Sequence, residues 1–379
     1  MARLRRPPDG DRGRRARARG RRRRDRRHRL HHQDPAGLPR HVVGDARGLS
    51  VARRRELDED DVRSRANPRG TRPRSKQRPA HEDATDGMVI AVDRGRFLVL
   101  ARDPAGREVE ATAMRARELG RRGIVVGDRV GVVGTVSGDP DALVRIVRID
   151  ERDTVLRRTA DDNDPNERVI VANATQLVIV SALADPEPSL GLIDRCLVAA
   201  LTAGIEPVLC LTKADLAAPD AVLERYAALS VPAVVTQRGG SLDELSALLR
   251  DNVSVLVGHS GVGKSTLINA LVPSALRATG SVSAIGKGRH TSSSAVALRL
   301  PDDAGWVIDT PGVRSFGLAH VDADDLLWAF PDLEDGATQC LPGCEHGPDE
   351  PGCHLDAWVA EGHSTPARLA AFRQLLVSR

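Results

Sequence analysis

The sequence predicts an α/β protein with a mainly parallel sheet, preceded by a small all-β barrel and followed by a Cys/His knuckle. Three observations carry this reading. Apolar strands alternate with helical runs from residue 177 to 308; short strands separated by turns crowd residues 88–149; and three cysteines with one histidine fall within residues 340–353. Alternation of strand and helix implies parallel pairing with helices on both faces. Closely spaced short strands without helices fit a small barrel.

The expected barrel strands are 88–92, 97–101, 109–114, 131–136 and 143–149. Arg94, Arg96, Arg102, Arg115, Arg117, Arg121 and Arg122 give this segment local positive charge, compatible with RNA contact. The α/β segment reads as strands at 177–181, 207–211, 233–236, 253–257, 296–300 and 306–308, with helices at 190–203, 221–229, 242–249 and 265–271. A last amphipathic helix is expected at 366–377. Cys196 and Cys210, and the tryptophans 306, 328 and 358, are read as packing residues.

Composition excludes several classes. No apolar run approaches the roughly 18–20 residues of a membrane span, and the N-terminus has no apolar signal core. Five cysteines in 379 residues do not make a disulfide scaffold; they fit a reducing compartment and a metal site. A cytoplasmic monomer without membrane association is expected. Lysine occurs four times, at positions 76, 213, 264 and 287, so each is a candidate for a role that guanidinium cannot fill.

The net charge of +4 hides an imbalance. Residues 1–50 hold 17 Arg and 5 Asp, a balance of +12, which leaves 39 basic and 47 acidic side chains, or −8, for the rest. The first fifty residues show no hydrophobic periodicity. They read either as a basic RNA-binding arm or as translation upstream of the true start, with Val51 the favoured initiator. Residues 51–86 are expected to be a flexible basic tail. The domain plan is then 87–150 for the barrel, 151–330 for the α/β domain and 331–379 for the knuckle with its helix.

Gly258-His259-Ser260-Gly261-Val262-Gly263-Lys264-Ser265 matches the phosphate-binding loop pattern and lies between a predicted strand and helix, with Thr266 following. Its glycines let backbone N–H groups converge on phosphate, aided by the helix N-terminus. Lys264 is expected on the β- and γ-phosphates and Ser265 on magnesium. Downstream, Asp309-Thr310-Pro311-Gly312 ends a buried strand; Asp309 would hold the magnesium shell and Gly312 would offer its N–H to the γ-phosphate. Between them, Gly286-Lys287-Gly288-Arg289-His290-Thr291-Ser292 supplies a loop hydroxyl for magnesium, Thr291 first and Ser292 as alternative.

Thr212-Lys213-Ala214-Asp215 ends the 207–211 strand and resembles the Asn-Lys-x-Asp guanine signature, with Thr in place of Asn. Asp215 can accept from guanine N1 and N2, and the Lys213 stem can pack along the base. This motif precedes the phosphate loop instead of following it, so the order is circularly permuted. At the C-terminus Cys340, Cys344, His346 and Cys353 suit structural tetrahedral zinc, with His354 a possible substitute ligand.

Barrel, permuted nucleotide motifs and knuckle, in this order, resemble the ribosome small-subunit-dependent GTPase A family (RsgA, also called YjeQ) over residues 51–379. The resemblance implies an OB-fold, a permuted GTPase domain and a zinc knuckle. It also implies GTP, Mg2+ and one Zn2+, and action in late assembly of the small ribosomal subunit. Contact with its rRNA, stimulation of hydrolysis by the subunit, and release on hydrolysis follow from the same resemblance. Three features depart from the family pattern. The intervals between zinc ligands are three, one and six residues instead of four, one and five; Thr236-Gln237 stands where Ser-Ala is usual; and Val313 is apolar where a water-orienting Gln is found in Ras-like enzymes. Slow intrinsic turnover is therefore expected, with His290 a candidate contributor. The competing readings are a GTPase of the large subunit, a nucleotide-binding RNA scaffold and a metabolic ATPase; the intact Lys264, Ser265, Asp309 and Asp215 speak against the last two.

Overall fold

The computed structural model describes residues 81, 83–93, 95–120, 123–139, 142–159, 167–273, 295–310, 316, 318 and 321–379. The sequence expectations for residues 1–80 and for Lys287, His290, Thr291, Ser292, Gly312 and Val313 lie outside them. No helix among the described residues is long and apolar enough to cross a membrane.

Five strands form the barrel: β1 (Thr85–Asp93), β2 (Arg96–Arg102), β3 (Glu108–Arg115), β4 (Arg129–Val133) and β5 (Leu143–Ile149). They pair in the closed order β1-β2-β3-β5-β4-β1, with β3 and β5 parallel and the other pairs antiparallel. This is the five-stranded closed arrangement of an OB-fold. Val89, Val99, Ala111, Val130, Val144 and Ile146 fill its interior. Strand β4 stops at Val133, three residues short of the sequence expectation, because Gly134 turns to φ +128°.

A hairpin that periodicity did not reveal follows: β6 (Val155–Thr159) and β7 (Glu167–Ala172). It fastens the barrel to what comes next. Val126 bridges Val171, Asn173 Nδ2 donates to the Gly127 carbonyl at 2.9 Å, and Arg152 clamps the fully buried Asp128 at 2.7 and 2.9 Å. Gly127 is required here: at φ +89°, a Cβ would lie 2.0 Å from the Ala172 carbonyl oxygen.

The α/β domain contains β8 (Gln176–Ala182), α1 (Leu190–Thr202), β9 (Glu206–Thr212), α2 (Asp220–Tyr226), β10 (Ala233–Val235), α3 (Asp243–Leu249), β11 (Asn252–Val257), α4 (Lys264–Leu271), β12 (Val296–Arg299) and β13 (Gly305–Asp309). Their order in the sheet is β10-β9-β8-β11-β13-β12, all parallel except β12. Helix α2 is shorter than expected, its last turn tightening to a 3-10 turn at Ala227–Leu229.

Both faces of the sheet are covered. Leu177 and Ile179 of β8 face a core shared with α1 and the C-terminal helices, whereas Val178 and Val180 face one shared with α3 and α4. All seven residues of β8 are buried, which explains a continuous apolar run where a one-sided strand would alternate. Cys196 and Cys210 lie in these cores; burial raises both thiols, Cys210 to about 12, so they remain protonated packing groups.

Four helices end the chain: α5 (Ala323–Leu327), α6 (Pro331–Ala337), α7 (Leu355–Ala360) and α8 (Pro366–Ser378). Leu369, Phe372, Leu375 and Leu376 of α8 are buried in the core shared with α1. Asp194 of α1 is buried and accepts from Tyr226 Oη and Gln374 Nε2, both at 2.8 Å. Trp358 packs over Gly336 and donates to the Asp332 carbonyl at 2.9 Å, and Arg299 lies over the Trp306 ring. Trp328 departs from the packing expectation: at the end of α5 it is 73% exposed.

The barrel and the α/β sheet are joined edge to edge. Ala91 of β1 bridges Val296 of β12, and the adjacent Arg299 pairs with Glu108 of β3 at 2.5 Å and with Asp303 at 2.8 Å.

Candidate nucleotide site and zinc knuckle

Three strands of the sheet, β9, β11 and β13, end at the candidate nucleotide site. Strand β11 delivers the loop Gly258–Gly263 and α4; β13 delivers Asp309 and Thr310; β9 delivers Thr212 to Asp215. Gly258 adopts φ +157°, and any Cβ there would lie 2.3 Å from the Val180 carbonyl oxygen, so the turn out of β11 excludes a side chain. Gly261 and Gly263 also have positive φ. Ser265 and Thr266 are exposed at the first turn of α4, where hydroxyls can reach phosphate or a cation. His259 and Ser260 line a cavity of about 470 Å³ with Ser181, Pro186, Glu187 and Ser189.

Lys264 reaches from α4 across to β13. Its ammonium donates to the Thr310 carbonyl at 2.8 Å and lies 3.0 Å from Asp309 Oδ1. That carboxylate oxygen is buried and, beyond this ion pair, accepts no hydrogen bond from a described residue. A buried carboxylate oxygen whose neighbour is the mobile Lys264 ammonium fits an atom that a metal-bound water could take over. Thr310 is itself fixed by a 2.8 Å hydrogen bond from its hydroxyl to the Leu256 carbonyl. Sequence reasoning did not single out this residue; its place directly after Asp309 was the available signal.

The guanine-motif residues divide into support and contact. Thr212 is 7% exposed and its hydroxyl donates to the Val262 carbonyl at 2.6 Å, so it ties this loop to the phosphate loop. Lys213, at φ +60°, hydrogen-bonds the Asp185 carbonyl in the loop before α1. Asp215 is exposed and its carboxylate has no partner among the described residues, which leaves both oxygens open to a base. The N–H of Ala214 donates to the Thr236 carbonyl at 3.1 Å, bringing the 236–237 segment beside the motif. The Asp185 loop was missed; its Asp-Pro-Glu-Pro run at the end of a buried strand was the clue.

In the knuckle, Cys340, Cys344, His346 and Cys353 bring one ligand atom each to within 4.8 Å of one another. His346 Nδ1 stands 3.7 Å from Cys340 Sγ and 3.9 Å from Cys353 Sγ. Zinc at about 2.3 Å from sulfur and about 2.0–2.1 Å from nitrogen gives tetrahedral S···N edges of about 3.6 Å, so the donor set fits zinc. Burial and the neighbouring thiols push Cys344 up to about 11; three clustered thiolates need a cation to offset them. His354 is not in the set: its backbone N–H donates to Cys340 Sγ at 3.1 Å while its residue starts α7. The altered ligand spacing is absorbed by the Gly/Pro turns, with His346 at φ +58° and Gly343 and Gly352 also positive.

Comparison with known proteins decides the family. The model of the RsgA GTPase family matches residues 149–319. A relative from Nitrosospira multiformis, "Small ribosomal subunit biogenesis GTPase RsgA", is 35% identical over 300 residues, covering 77% of this chain and 90% of the relative. The chain belongs to the RsgA GTPase family. A Pseudomonas aeruginosa (strain LESB58) member with the same name is 42% identical over 219 residues, 55% of this chain; the match spans 64% of that relative's length. Among solved structures, "YloQ, a circularly permuted GTPase" shares the fold at TM-score 0.56 and 24% identity, covering 79% of this chain and 96% of that one. YjeQ from Thermotoga maritima gives TM-score 0.54 at 26% identity, covering 77% and 97%. Permuted GTPase domain, OB-type barrel and Cys3His cluster thus stand as the sequence predicted them.

Proposed function

We propose that this protein hydrolyses GTP as a late assembly factor of the small ribosomal subunit, with hydrolysis stimulated by the subunit and coupled to release. The observation that carries the reading is the convergence of β9, β11 and β13, which gathers Asp215, unpartnered among the described residues, the phosphate loop and the Lys264–Asp309 pair at one end of one sheet. Asp215 selects guanine and the Lys213 stem flanks the base. Backbone N–H groups of the 258–263 loop hold the phosphates, and Lys264 transfers from the Thr310 carbonyl to the β- and γ-oxygens. That transfer frees Asp309 to hold the water shell of Mg2+, which would be ligated by Ser265 and Thr291 and would neutralise developing phosphate charge. Gly312 would contact the γ-phosphate.

Val313 cannot orient the attacking water, so turnover by the free protein is slow and the subunit supplies or organises the missing group, His290 being the contributor on this chain. One structural zinc ion is held by Cys340, Cys344, His346 and Cys353. The proposed domains are 1–50 as an Arg-rich extension, 51–86 as a basic tail, 87–150 as the OB-fold barrel, 151–330 as the permuted GTPase and 331–379 as the knuckle with its helix. The protein acts as a cytoplasmic monomer. Names of the relatives, all small-subunit biogenesis GTPases, support the choice of partner.

Phosphate release from GTP and ATP, with small or large subunits added, tests this. GTP-selective release that rises with small subunits alone is the expected result. Stimulation by large subunits alone would refute the partner, and absence of hydrolysis with GTP still bound would leave a nucleotide-gated scaffold.

A further inference from the structure

Helix α8 carries two consecutive side chains with opposite destinations. Gln374 donates to Asp194 of α1, whereas Arg373 turns to the knuckle. Arg373 Nε donates to the carbonyl of His346 at 3.1 Å, and its two terminal nitrogens grip both oxygens of Asp356 at 2.8 and 2.6 Å. Asp356 first, and the Cys353 thiol after it, raise the guanidinium's pKa, so its charge lies close to that sulfur. One arginine therefore holds the backbone of one zinc-ligand residue and lies electrostatically close to another.

We propose that Arg373 is an outer-sphere residue of the zinc site, offsetting its charge as well as bracing its loop. This rests on the zinc reading of the Cys3His cluster. Three thiolates, a neutral imidazole and a divalent ion sum to one negative charge. No Lys or Arg occurs from Val321 to Ala367, so the compensating cation has to come from elsewhere in the chain. Of the three arginines in α8 and at its end, Arg368 is occupied with Asp332 and the Ala228 carbonyl, and Arg379 with Glu345. Arg373 reaches the ligands. Its side chain is 15% exposed and Asp356's is 60%, so water screens the carboxylate more than the guanidinium and the pair keeps a net positive side toward the knuckle. Partners of metal ligands commonly change affinity about 10–100-fold when removed.

The test exploits the two ends of one ion pair. Arg373→Gln and Asp356→Asn both break it, but only the first removes positive charge from the thiolates. Zinc affinity of the full chain is measured by competition with a chromophoric chelator, and the cobalt(II)-loaded proteins are compared by their sulfur-to-metal charge-transfer band. Arg373→Gln should weaken zinc binding about 10-fold or more and move the band to longer wavelength. Asp356→Asn should do neither, and Arg373→Lys should recover most of the affinity. Equal losses in Arg373→Gln and Asp356→Asn with unmoved bands would reduce Arg373 to a brace and overturn the proposal, as would wild-type affinity in Arg373→Gln. Failure of the unaltered protein to bind zinc or cobalt would instead remove the zinc reading, and the proposal with it.

Discussion

Replacing Thr212 by Val isolates the link between base recognition and phosphate binding. The two side chains have nearly the same shape, so packing in the 7%-exposed site is retained and only the hydroxyl is lost. What disappears is the 2.6 Å hydrogen bond to the Val262 carbonyl, together with a 3.4 Å contact to the Ser181 carbonyl. Val262 is itself buried, so its carbonyl has little recourse to water. Leaving such an acceptor short of a donor costs about 1–3 kcal/mol. Part of this falls on folding and part on nucleotide binding, since the phosphate loop and the Asp215 loop are no longer held in register. The expected outcome is a melting temperature lower by a few degrees and an affinity for a fluorescent GDP analogue weaker by about 5–30-fold, the equivalent of about 1–2 kcal/mol. Thr212→Asn should keep most of the affinity, because its amide can donate to the same carbonyl. Wild-type affinity in Thr212→Val, with the loss appearing in stability alone, would refute the idea that this bond couples the two loops.

Asp215→Asn should leave the melting temperature unchanged, because the carboxylate has no partner among the described residues, while the preference for GTP over ATP in competition binding falls. Lys264→Ala should abolish GTP hydrolysis above background in a phosphate-release assay and leave Asp309 without its cation. Asp128→Ala removes a buried acceptor of two Arg152 bonds and of the Val125 N–H at 2.8 Å, and should lower unfolding free energy by about 2–3 kcal/mol in urea titration. The Arg373 guanidinium holds the Asp356 carboxyl below its ordinary value of 3.8. A depressed folded value means the pair's contribution is complete above about pH 4 and fades as pH falls through the lowered value. Carboxyl NMR of the unaltered chain should show Asp356 titrating below 3.8, and in Arg373→Gln returning towards it.

The nucleotide motifs were legible because phosphate chemistry forces particular residues into fixed local spacing: glycines at 258, 261 and 263 with Lys264 and Ser265 behind them. The layered α/β core was legible because β8, β9 and β11 are short unbroken apolar runs. Contacts made by backbone across long sequence separations were not. The β6–β7 hairpin has arginines at 157, 158 and 168 in place of a clean alternation, and the bridge between Ala91 and Val296 joins residues some two hundred positions apart. Thr212 illustrates the middle ground. The sequence marks it as a departure from Asn, but its donation to Val262 depends on how close two loops lie, which no spacing within either loop reports.

The edge-to-edge junction of the two sheets has a mechanical consequence. Continuity from the barrel into the α/β sheet rests on one residue pair and a half-exposed Arg299–Glu108 ion pair, whereas the other junction has the buried Asp128–Arg152 clamp, the Val126–Val171 bridge and the Asn173–Gly127 bond. Ile90 of β1 is also buried in the α/β core with Leu98 and Leu100 of β2 against it, so parting the sheets costs apolar burial as well, and parting the second junction would break several buried bonds together. Strand β12 begins four residues after the 286–292 segment, so whatever displaces β1 from β12 acts on the strand that continues that segment. A large partner that gripped the barrel would pull on the strand that follows the segment in which Thr291 is expected to meet magnesium, without touching the nucleotide.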